Sequence, residues 1–139
     1  MTRPPAGLLE NSTTMKNPNL AIVNQFVAAV TAGDADTLKA LCADQFELHE
    51  GSGLTFAGVY AGSDGFLKFL GIFAETLDIE RMELLRSYVS DDDDYVISEM
   101  ELVATIRATG KPFASTLLER WKFRDGKVLS IKPHYFNAM

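Results

Sequence analysis

The chain has 139 residues, of which 47% are hydrophobic and 23% charged, the size and composition of one globular domain. A net charge of −6 leaves no basic footprint for nucleic acid or for an anionic membrane surface. No apolar run approaches the ~20 residues that span a bilayer, and the single cysteine, Cys42, excludes an internal disulfide. The N-terminus has no apolar signal-peptide core, so a reducing, cytoplasmic setting is expected.

Residues 1–17 are rich in Pro, Ser, Thr and Asn without periodicity and read as a loose tail, leaving 18–139 as the domain. Asn17 and Pro18 suit the start of a helix whose Leu20, Val23, Phe26, Val27 and Val30 recur at spacings of three and four. Gly33 ends it. Asp34 is placed to cap a second helix, "DADTLKALCADQ", with Cys42 as a small packing residue on it. "FELHEGSG" then alternates, so Phe46, Leu48 and Glu50 share one face, and Glu47 and His49 the other. Tyr60 lies in a turn-rich link, and Ser63 is expected to cap a third helix, "DGFLKFLGIFAETL", apolar nearly all round.

After Leu77 the period changes to two. Four strands follow, separated by the aspartate run Asp91–Asp94, by "TGKP", and by "RDGK", whose Asp125-Gly126 is a strong hairpin signal. The aspartate run lacks the glycine and alternation of a calcium loop and reads as a solvated turn. Helices followed by an antiparallel meander make an α+β pattern.

A two-residue turn at Thr109-Gly110 would pair Ala108 with Lys111. That register sets Glu119 opposite Met100, Trp121 opposite Ser98, and Glu99 against Arg120 as a cross-strand ion pair. Glu119 then shares an inward face with Phe113, Leu117, Trp121 and Phe123. A carboxylate in that company loses hydration and its pKa rises. Either Glu119 is a core acid bonded to a neighbour, or it lines a cavity and meets a ligand. Ile131, Pro133, Tyr135 and Asn137 share the inward face of the last strand, so Tyr135 and Asn137 are candidate hydrogen-bonding groups. Trp121 is a candidate wall residue.

Three stretches, "FVAAVTAGDADTLKALCADQFELHEGSG", "YAGSDGFLKFLGIF" and "ATGKPFASTLLERWKFRDGKVLSIKPHYFNAM", resemble the SnoaL-like group of the nuclear-transport-factor-2-like superfamily over residues ~18 to 139. The resemblance implies a cone: a curved mixed or antiparallel sheet wrapped around three N-terminal helices, with a deep apolar pocket. It implies a hydrophobic small-molecule ligand; separately, no phosphate loop, metal-ligand cluster or nucleophile elbow is present in the sequence, so no cofactor and no metal are expected. By analogy with the superfamily's steroid isomerases, Glu50 falls at the proton-moving position and Glu119 at that of a protonated acid. Phe26 stands where those relatives carry a helix-one tyrosine. Asn137 stands where SnoaL-like cyclases carry an aspartate, and an amide is no general base. Tyr60 would border the pocket mouth, and His49 is a further candidate ligand contact, although its parity points outward. A homodimer through the outer sheet face, around Val103 and Leu118, is implied as well. Two functions stay open: cofactor-free acid–base isomerase, cyclase or lyase chemistry on a hydrophobic carbonyl compound through Glu50 and Glu119, or a non-catalytic binding or dimerisation module.

Overall fold

The computed structural model describes residues 17–139. The tail expected over residues 1–17 lies, except for Asn17, outside the described residues. Asn17 is buried, and its side chain accepts from the Asn19 amide (3.2 Å) at the start of helix α1, Pro18–Ala32. Gly33 closes α1 at a left-handed φ of 69°, its N–H returning to the carbonyls of Ala29 and Val30. Val23, Phe26 and Ala29 form the buried stripe of α1. Asn19 ties the helix to the far turn by donating to the Asp93 carbonyl at 2.7 Å.

Helix α2, Ala35–Leu41, is capped by Asp34, which accepts from the Thr37 amide (3.1 Å) and hydroxyl (2.6 Å). It is shorter than the sequence pattern suggests. Cys42 is extended and opens strand β1, Cys42–Glu50, where it pairs with Val128 of the last strand. Cys42 is buried there in the core. A short strand β2, Gly58–Ala61, runs back along β1, and helix α3, Gly62–Thr76, follows with no loop. Ser63 therefore lies inside the first turn of α3. Ala61 takes the cap position without a side-chain bond.

Strands β3 (Leu77–Val89), β4 (Tyr95–Ile106), β5 (Pro112–Arg124) and β6 (Lys127–Tyr135) complete a six-stranded sheet in the order β2-β1-β6-β5-β4-β3. All neighbours are antiparallel except β1 and β6, so the sheet is mixed, with β2 and β3 as open edges. Asp125 (φ 52°) and Gly126 (φ 76°) turn β5 into β6 as an Asp-Gly hairpin.

The β4–β5 register differs from the expected one by two residues. Ile106 donates to Lys111 O (2.8 Å), and Gly110 N returns to Ile106 O (2.8 Å), so residues 107–110 form a longer loop. Glu119 consequently faces Ser98, Met100 faces Leu117, and Trp121 faces Val96. A shift of two preserves every face and changes every partner. The Glu99–Arg120 pair is thereby replaced: Glu99 meets Arg86 at 3.8 Å and accepts from the Tyr88 hydroxyl at 2.8 Å.

The core fills the space between the helices and the concave sheet face. Phe26, Phe46, Phe56, Leu102, Leu117 and Trp121 are almost wholly buried in it. Among the described residues no helix is long and apolar enough to cross a membrane, and no cluster of His, Cys, Asp or Glu has metal-ligand spacing.

Candidate active site

A cavity of about 430 Å³ opens between the helices and the sheet. Phe26, Val27 and Val30 of α1 form one wall, and Phe66, Phe69 and Phe73 of α3 another. Ile79 and Met82 of the edge strand β3 border it, and both are partly exposed. Glu119, Trp121 and Tyr135, with the exposed Thr31 of α1, supply its polar groups. Among the described residues no Lys, Arg or His lines it. An apolar, aromatic-walled cavity with a few converging polar groups is the usual form of a small-molecule site.

Glu119 is placed by β-sheet parity: it shares the inward face of β5 with Leu117 and Trp121, both buried. The Ser98 hydroxyl donates to its Oε1 at 3.1 Å, and the Trp121 indole N–H donates to Ser98 Oγ at 2.9 Å. Ser98 itself is completely buried. Burial pushes the Glu119 carboxyl up to about 7, against the opposing pull of the Ser98 hydrogen bond. The carboxylate in line with two aromatics therefore has a physical account. The tryptophan provides, through a serine, a hydrogen bond that a buried acid needs.

Glu50 ends β1 and is buried to 6% exposure. Burial first, and the charge of Glu119 second, push it up to about 8, while the Tyr135 hydroxyl partly offsets this. Its Oε1 is buried without a hydrogen-bond partner among the described residues. Tyr135 is held above the ordinary phenol range by burial and by the negative charges of Glu50 and Glu119. The two acids and the phenol are thus electrostatically coupled. Glu50 is absent from the cavity lining; Glu119 and Tyr135 are the members that reach it.

The remaining candidates divide. Phe26 lines the cavity, stacked on Phe66 (5.0 Å between centroids) and edge-on to Trp121 (5.0 Å). Tyr60 is not among the lining residues. Its hydroxyl donates to the Phe56 carbonyl at 2.8 Å, and its ring packs on Phe69. His49 lies on the other sheet face, 3.3 Å from Glu47, in a shallow groove with Lys122 and Lys132. Asn137 follows the end of β6, is exposed, and donates from its side chain to the Ala114 carbonyl at 2.8 Å. Strand alternation does not extend past Tyr135, so inward parity no longer governs position 137.

Sequence reasoning did not single out Ser98 or the phenylalanine stripe of α3 as site residues. The signal for Ser98 was a polar residue at an inward position of an otherwise apolar strand. Phe66, Phe69 and Phe73 recur at helical spacing, which core packing produces equally well.

The SnoaL-like domain model matches residues 23–131. No curated protein matches the chain. An NTF2-like protein from Burkholderia thailandensis is 26% identical, with a TM-score of 0.73 over 83% of this chain and 88% of that one. Bal32a, from a soil-derived mobile gene cassette, is 24% identical, with a TM-score of 0.74 over 86% and 89% of the two chains. TerC, crystallised with polyporic acid, shares 18% identity and a TM-score of 0.72 over 85% of this chain and 91% of its own. At those identities the last two show the fold alone. The concave sheet over three helices and the domain match across most of the chain agree, and the protein belongs to the SnoaL-like domain family.

Proposed function

We propose that this protein binds a hydrophobic carbonyl compound in the cavity and moves a proton on it without a cofactor. The observation that carries this reading is a carboxyl with a near-neutral pKa, Glu119, on the floor of an apolar cavity beside a phenol, Tyr135. A base titrating near the working pH combines a useful ionised fraction with useful proton affinity. Analogy gave the proton-moving role to Glu50 and the hydrogen bond to Glu119. The lining favours the exchange of these roles. Glu119, which reaches the cavity, takes the proton α to the carbonyl. Tyr135 donates to the oxygen that becomes an enolate. Glu50, mostly protonated at neutral pH because of its burial, keeps negative charge away from the Tyr135 oxygen. The lack of a cationic lining residue among the described residues disfavours carboxylate and phosphate ligands.

The test is deuterium uptake at the α-carbon of aromatic ketones in heavy water, alongside their binding followed by Trp121 fluorescence. Binding with exchange above the buffer rate is expected. Binding without exchange from any ketone of the panel leaves the second reading, a ligand-binding module. Phe26 favours that reading, since it puts a bare ring where relatives carry a phenol.

We also propose a homodimer through the outer sheet face, where Leu118 and Tyr88 are exposed.

A further inference from the structure

We infer that Ser98, backed by Trp121, is a positioning residue that fixes which oxygen of Glu119 exchanges a proton with the ligand. Indole N–H is a donor only, so at 2.9 Å Ser98 Oγ must accept from Trp121. The serine has one hydrogen, and Glu119 Oε1 lies 3.1 Å away in line to receive it. Ser98 keeps a second lone pair, but among the described residues its hydrogen has no acceptor other than Glu119 Oε1. Glu119 Oε1 is a permanent acceptor whether the acid is charged or neutral. The acid's own proton is carried by Oε2, which has no hydrogen bond among the described residues and belongs to a side chain on the cavity lining. Ser98 is wholly buried, so water does not compete for its hydrogen.

The chain Trp121–Ser98–Glu119 runs across β4 and β5 on one sheet face. Ser98 and Glu119 are direct register partners, and Trp121 is the diagonal neighbour two residues on. A rigid sheet therefore holds all three groups. This inference rests on the proposal that Glu119 is the working acid, but its readout does not. The relay acts on the carboxyl whether or not a substrate turns over.

The experiment is carboxyl-carbon NMR titration of the protein labelled at its glutamates, in a Glu50→Gln background so that Glu119 titrates without the acid coupled to it. The Glu119 signal is identified by its loss in Glu119→Gln. Ser98→Ala should raise the Glu119 midpoint by about one pH unit, since a hydrogen bond to the charged form is lost. Ser98→Thr should restore it. Trp121→Phe should move it the same way by less, because the indole hydrogen bond that orients and polarises the serine hydroxyl is lost. The pH at which α-exchange switches on should move with the midpoint. An unchanged midpoint in folded Ser98→Ala overturns the relay. If Ser98→Ala does not fold, an unchanged midpoint in Trp121→Phe does so. Shifted midpoints with no ketone exchange in any variant keep the relay and remove the acid–base reading instead.

Discussion

Glu50 and Glu119 make the molecule's stability depend on pH in a defined direction. Both carboxyls are raised from an ordinary 4.5, to about 8 and about 7 respectively, chiefly by burial. Unfolding exposes them, so between these limits the unfolded chain binds fewer protons than the native one. The pair's contribution is therefore fully present below pH ~4.5 and is lost as pH rises through the folded values. Each acid contributes a slope of up to about 1.4 kcal/mol per pH unit. Urea melts from pH 5 to 8 should show stability falling. Glu50→Gln should make that fall shallower; an unchanged slope would mean that Glu50 ionises freely. Asn137 provides the opposite control. Its side chain is bonded to Ala114 outside the cavity, so Asn137→Ala should leave the affinity for an aromatic ketone within about twofold. A tenfold loss by fluorescence titration would put Asn137 back in the site.

At the level of the elements, α3 is pinned to β2 by one glycine. A Cβ on Gly65 would lie 2.9 Å from the Tyr60 carbonyl carbon, and backbone cannot yield cheaply there. Gly65→Ala should cost about 1–3 kcal/mol in a denaturant melt. Gly71, on the same helix with open space around it, should gain from the same change by about 0.5–1 kcal/mol. Equal effects at both positions would contradict the close approach. The elements themselves were largely legible. Period-two alternation gave the inward faces of β1, β4 and β5, including Glu50 and Glu119, because parity is local. Strand partners were not legible, because "TGKP" does not state how many residues leave the ladder. Four do, and Glu99 lost its expected partner Arg120. Depth was hidden too: Tyr135 and Asn137 share a parity, yet only Tyr135 is still in the strand and on the cavity.

Among the described residues, the concave sheet has an inner face covered by the helices and an outer face that is largely open. Leu118 is 45% and Tyr88 47% exposed on that outer face. Sedimentation should give twice the 15.3 kDa chain mass, and Leu118→Asp should return it towards the monomer. A wild-type monomer at micromolar concentration would remove the dimer.

The central claim concerns which acid meets the ligand, and one comparison decides it most directly. Ketone α-exchange should be measured at pH 7 for Glu119→Gln and Glu50→Gln beside the unaltered protein, with ketone binding checked in each. Removing a general base typically costs 10²–10⁴ in rate, and that loss is expected for Glu119→Gln with binding kept. Glu50→Gln should lose less, since it acts through Tyr135. Exchange retained in Glu119→Gln and abolished in Glu50→Gln would contradict the account and return the proton-moving role to Glu50.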